Sequence, residues 1–195
     1  MDYMIGIHIT VIISVLLLIR LAFPRKFGNV PLSLDKINAV APYQVQIDST
    51  TGLYKFVSDY QVGFSVAFEE NDLLQSGESY QFALTNYEGK KSPRDNKVRT
   101  TVLAIIEEFF NKNEAALLYI CETGDGMQKM RSRLFHFWFG IYAEHDEFLF
   151  LPQVVYDEED NENYAALIIR RDNPKFIDLV TEFTNTITLL NAKPD

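Results

Sequence analysis

The sequence predicts an α+β domain: a mostly antiparallel sheet that starts as a β-meander, continues as α-β-α-β-β-α, and carries helices packed on it. Three observations predict this. Residues 43–84 hold short aromatic segments in which apolar and polar residues alternate, the period of a half-buried strand. Helical spacing of apolar residues begins only after Asp95. An unbroken apolar run, Ala115 to Cys121, then marks a buried strand ahead of a second helix.

The elements follow in order. Tyr43, Val45 and Ile47 alternate with Gln44, Gln46 and Asp48, Ser49 to Gly52 turns the chain, and Leu53 to Val57 returns it. Val62, Phe64, Val66 and Phe68 alternate again, and Tyr80, Phe82 and Leu84 make a fourth strand. Asp95 or Asn96 caps a helix whose apolar positions are Val98, Val102, Ile105, Ile106 and Phe109, and Asn111 to Asn113 ends it. After the apolar run comes the turn Glu122 to Gly126. The next helix is read with Met127, Met130, Leu134, Trp138 and Ile141 on its inward face. Phe135, Phe137 and Phe139 lie off that face, so the helix is apolar around most of its circumference and is either buried on both sides or docked on a partner. Phe148 to Leu151 and Val154 to Tyr156 form an extended stretch broken at Pro152. The acidic turn Asp157 to Asn163 leads into Tyr164 to Ile169. Asn173 caps the last helix with Pro174 at its first position, and Phe176, Leu179, Val180, Phe183 and Ile187 face inward.

Composition bounds the function. Of 195 residues, 47% are apolar and 15 are Phe, enough for one well-filled domain. The net charge of −9 gives no global basic footprint, so a nucleic-acid partner is not expected. Cys121 is the single cysteine, which excludes an intramolecular disulfide, and its place in the apolar strand reads as a small hydrophobe.

Residues 1–26 form a separate hydrophobic segment. From Tyr3 to Ile19 there is no Asp, Glu, Lys or Arg, and a helix of that length spans about 25 Å. Arg20 can snorkel and extend the span to Phe23, and Arg25 and Lys26 supply a positive flank. The segment reads as a single transmembrane helix over about residues 3–23 that anchors a cytoplasmic domain to the inner membrane. The competing reading is a wrongly assigned start codon and a cytoplasmic protein. Residues 27–41 read as a linker and 42–191 as one α+β domain.

Candidate chemistry lies in three places. Arg94-Asp95-Asn96-Lys97-Val98-Arg99 opens the first long helix, where Arg94, Lys97 and Arg99 can attract an anion or form a solvated first turn. Glu122 and Asp125 follow the buried strand and can hold Mg²⁺ or act as acid and base, with Arg131 and Arg133 to neutralise an anion. Thr123 or Asp125 serves equally as an ordinary helix cap. The run Asp157 to Asn163 fails as a calcium loop, because Glu162 stands where the turn glycine is needed and Ile168 where the last carboxylate is needed. His136 and His145 have no spaced partners, so no metal site is expected.

Two resemblances add to this reading. From the fourth strand onward the segment order resembles the acetyl-CoA-dependent N-acetyltransferase superfamily, whose phosphate loop reads Arg/Gln-x-x-Gly-x-Gly/Ala. Arg94 matches its first position, and Lys97 and Arg99 replace both glycines. The resemblance implies acetyl-CoA as a cofactor; otherwise none is expected. The segment LYICETGDGMQKMRSRLFHFWFG, with Arg131, Arg133, Leu134, Phe135, Trp138 and Phe139, resembles an uncharacterised Bacteroidota family, domain of unknown function 6169. Ile105 to Phe110 and Arg170 to Pro174 belong to the same resemblance, which covers roughly Pro42 to Thr188 and implies no activity. The leading functional expectation is a non-catalytic binding module with a protein partner or a homodimer seam. The alternatives are a divergent acyl-CoA-dependent transferase and a Mg²⁺-dependent enzyme at Glu122 and Asp125.

Overall fold

A computed structural model describes residues 30–90, 92–121, 127–142, 147–156 and 160–192 of the chain. Helix α1 (Leu34–Val40) precedes strands β1 (Gln46–Ile47), β2 (Tyr54–Val57), β3 (Gly63–Glu70) and β4 (Ser79–Asn86). Then follow α2 (Asn96–Lys112), β5 (Ala116–Ile120), α3 (Gln128–Tyr142), β6 (Phe148–Tyr156), β7 (Glu162–Arg170) and α4 (Phe176–Asn191). The strands form one 7-stranded sheet in the order β1-β2-β3-β4-β5-β7-β6. The expected α+β class with a mostly antiparallel sheet is what the chain adopts. Among the described strand pairs β4 and β5 alone run parallel, joined by the crossover through α2.

The unbroken apolar run of β5 has a direct cause: both of its faces are buried. Leu117 and Tyr119 point into the layer under α1, α2 and α3, while Ala116 and Leu118 point into the layer under α4. β7 divides in the same way, Ala166 and Ile168 to one layer and Leu167 and Ile169 to the other. The first layer is aromatic. Phe68, Phe82 and Phe109 are almost fully buried there, and Phe68 stacks on Phe109 at 4.5 Å. On the second face Leu179, Phe183 and Ile187 of α4 meet Leu118 and Leu167. The inward face expected for this last helix is correct.

Four features depart from expectation. The segment read as a linker holds α1, capped by Ser33 and anchored by Ile37, which is 1% exposed. The Tyr54 hydroxyl donates to the Val30 carbonyl and accepts from the Leu32 amide at 3.0 Å, and the buried Glu108 carboxylate accepts from the Ser33 amide at 3.2 Å. These bonds hold the segment to β2 and α2, so the packed layer includes residues 30–40. Second, β6 is continuous through Pro152, which pairs with Ala166. As an edge strand it has one unpaired side, where the missing N–H of a proline costs no ladder bond. Third, α4 starts at Phe176, beyond Asn173 and Pro174. The Asn173 side chain instead closes a tight turn, accepting from the Lys175 amide at 2.8 Å and donating to the Glu114 carbonyl at 3.1 Å.

The fourth departure corrects the expected single-pass placement in the inner membrane. No helix among the described residues is long and apolar enough to cross a membrane. The longest, α2, has 17 residues and carries Lys97, Arg99, Glu107, Glu108 and Lys112, whereas a span needs about 20 residues that are almost all apolar. Tyr3 to Phe23 lies outside the described residues.

Candidate docking face on helix α3

The candidate site is built where β5 hands the chain to α3. Phe135 is 3% exposed and stacks on Tyr119 of β5 with ring centroids 3.8 Å apart. Its edge meets Phe82 of β4 at 5.8 Å. Phe139 stacks on Phe150 of β6 at 5.3 Å, and Trp138 packs against Phe135 at 5.4 Å. Residues 135, 138 and 139 therefore form the face that α3 buries, the i, i+3, i+4 stripe of an amphipathic helix. This corrects the face expected from sequence. Trp138 is shared, but Met127, Met130 and Leu134 turn outward, and Phe135 and Phe139 turn in. The wide flat rings match the aromatic surface of Phe82, Tyr119 and Phe150, and this ring-on-ring complementarity decides the rotation of the helix.

The rotation leaves apolar surface in water. Met127, Met130, Leu134 and Phe137 are 43%, 56%, 40% and 57% exposed and follow one another at i, i+3, i+7 and i+10. They form a continuous stripe about 15 Å long beside the buried face. Arg99 of α2 lies with its guanidinium 6.0 Å from the Phe137 ring, bringing the start of α2 to the outer end of the stripe. Arg133 is exposed on the other flank, and Arg131 is half-buried. Lys129 pairs with Glu162 of β7 at 3.2 Å, and Tyr164 donates to the same carboxylate. That link holds the first turn of α3 against the sheet and keeps the Glu162 carboxyl below its usual range.

The other predicted site residues are distributed as follows. At the start of α2 the Asp95 side chain is the cap, accepting from the Lys97 amide at 2.8 Å, and its second oxygen accepts from the Tyr43 hydroxyl at 2.6 Å. Burial, reinforced by the Asp95 carboxylate, pushes the Tyr43 hydroxyl up to about 12. Lys97 is engaged by Asp59 at 2.7 Å, and Arg94 is exposed. Lys97 and Arg99 thus point to different neighbours, and Arg94 joins neither. A carboxylate already caps the amides that a phosphate would need. Sequence reasoning missed Tyr43 and Asp59, which reach α2 from the β1 and β2 ends; the tyrosine's place in an alternating strand disguised its polar end.

Cys121 is buried, with its amide bonded to the Tyr164 carbonyl at 2.9 Å, and burial pushes its thiol up, as a structural cysteine requires. Glu122 and Asp125 lie outside the described residues, as do Asp157 to Glu159 of the acidic turn and His145. His136 faces the edge of Phe150 at 5.8 Å. Among the described residues no group of three or more His, Cys, Asp or Glu is placed to hold a metal ion.

No curated protein matches this chain. Residues 94–185, which run from the cap of α2 through β5, α3 and the β6–β7 hairpin into α4, match the model of a family described as a family of unknown function (DUF6169), and it is to that family that the chain is similar.

Proposed function

We propose that the protein is a non-catalytic interaction module that docks a partner protein on the exposed face of α3. The observation that carries this reading is the stripe Met127, Met130, Leu134 and Phe137, left in water beside the face that Phe135, Trp138 and Phe139 bury in the core. Contiguous apolar surface of this kind costs solubility and marks interaction sites. Methionine in two of the four positions supplies an adaptable surface. Beneath the helix, Phe82, Tyr119 and Phe135 pack ring against ring. The test is a photo-crosslinking residue at position 134 in cells that produce the full chain, with position 181 on the outer side of α4 as control. A discrete adduct at 134 that disappears with Phe137→Asp supports docking. Equal labelling at both positions refutes it.

A second reading, a divergent acyl-CoA-dependent transferase, draws support from one feature. The parallel β4–β5 pairing stops at Phe82 and Tyr119, while β4 continues to Asn86 on the β3 side. The two strands therefore part company at their C-terminal ends, the edge of a sheet where ligands commonly enter. The Asp95 carboxylate at the head of α2 opposes a phosphate there. Calorimetric titration of the full chain with acetyl-CoA separates the readings, since saturable micromolar binding favours the transferase.

A further inference from the structure

The charge around the stripe narrows the partner. The chain as a whole is acidic, at −9, yet α3 carries Lys129, Arg131 and Arg133 and no carboxylate. Lys129 is consumed by Glu162. Arg99 and Arg133, one at the outer end of the stripe and one along its flank, have no acidic partner among the described residues. Cationic side chains beside apolar surface, unpaired with acids among the described residues, favour an approaching negative charge. We infer that the partner presents an acidic amphipathic helix, whose apolar face lies along Met127, Met130, Leu134 and Phe137 and whose carboxylates pair with Arg99 and Arg133. This inference rests on the α3 docking reading.

The geometry suits a helix. A ridge about 15 Å long takes about three turns of a partner helix, with apolar residues at i, i+3 or i+4, and i+7. A carboxylate one turn from that seam reaches a guanidinium in the paired geometry arginine favours. The competing occupants meet the charge unfavourably. A second copy docked through a twofold axis brings each Arg133 toward its mate. An anionic membrane surface repels the rest of a chain at −9.

The experiment uses the full chain and two fluorescent helical peptides of one design. Both carry leucine along one face; the polar face is glutamate in the first and glutamine in the second. Anisotropy titrations are read at low and high salt. The glutamate peptide binds saturably, at least about tenfold more tightly than the glutamine peptide, and loses that advantage as salt screens the pairs. Arg133→Glu weakens it about tenfold, Arg99→Glu/Arg133→Glu weakens it further, and Phe137→Asp weakens both peptides, with circular dichroism melts confirming folded variants. Equal binding of the two peptides overturns the acidic partner and leaves the docking face standing. Binding of neither overturns both. Light scattering that shows a dimer broken by Phe137→Asp assigns the stripe to a second copy and overturns the inference. So does adsorption to phosphatidylglycerol vesicles without peptide binding.

Discussion

Phe135 and Phe137 stand two residues apart on α3, carry the same side chain, and differ in burial from 3% to 57% exposed. Truncating each to alanine is therefore a controlled measurement of which face of the helix holds the domain together. Phe135→Ala deletes a ring that touches Tyr119, Phe82, Trp138 and Phe139, with centroids between 3.8 and 5.9 Å. Buried Phe→Ala replacements cost about 3–5 kcal/mol through lost transfer energy and the residual cavity, and the ring pairs place this one at the upper end. In a domain of this size the loss lowers the melting temperature by about 6–20 °C. Phe137→Ala removes a ring that is more than half in water and touches the Arg99 guanidinium, so its cost is about 0.5 kcal/mol. Urea denaturation of the two variants, compared at equal m-value, reads the difference as a shift in midpoint. Equal costs, or a larger cost for Phe137→Ala, would refute the orientation of α3 and with it the exposed stripe.

The remaining predictions concern other joints of the fold. Glu182 of α4 accepts from the amides of Gln75 and Ser76 at 2.8 and 2.9 Å, and these bonds hold its carboxyl below the usual range. Glu182→Gln should cost about 1 kcal/mol at neutral pH. Because the folded value is depressed, that difference is fully present above the ordinary 4.5 and fades as pH falls through the folded value, which paired urea titrations across pH 3–7 will register. Gly63 has no side chain because Tyr87 lies over it: a Cβ there would stand 2.1 Å from the tyrosine Cζ. Gly63→Ala should destabilise by about 1–2 kcal/mol, and Tyr87→Ala in the same chain should recover most of the loss in a double-mutant cycle. Asp95→Ala removes both the cap of α2 and the partner of Tyr43, an expected cost of about 1–2 kcal/mol by thermal melting; the spectrophotometric titration of Tyr43 should move down from about 12.

Much of the fold was legible because periodicity and capping are local. The alternation through Val62 to Phe68 marks β3, Asp95 marks the start of α2, and Leu179, Phe183 and Ile187 mark the core face of α4. Departures occur where a tertiary neighbour decides. Pro152 looks like a break until the strand is known to be an edge, and α1 looks like a linker until Tyr54 and Glu108 are known to receive it. The rotation of α3 is the instructive case. From Leu134 onward the helix is apolar on nearly every side, so composition offers two core faces, and only the rings of Phe82, Tyr119 and Phe150 select one. Three residues of the exposed stripe, Met127, Met130 and Leu134, are ones that sequence reasoning had assigned to the interior, and the fourth, Phe137, it had placed off that face.

The central claim is that α3 keeps Phe135, Trp138 and Phe139 in the core and leaves Met130, with Met127 just before it, in water, and oxidative footprinting of the full chain tests it directly. Thioether sulfur oxidises readily wherever solvent reaches it, and Met127 and Met130 are 43% and 56% exposed while Trp138 is 7% exposed. The account predicts that both methionines oxidise in the native protein at rates close to those of the urea-unfolded chain, with Trp138 protected on the same helix. Protection of Met130 together with rapid oxidation of Trp138 would contradict it.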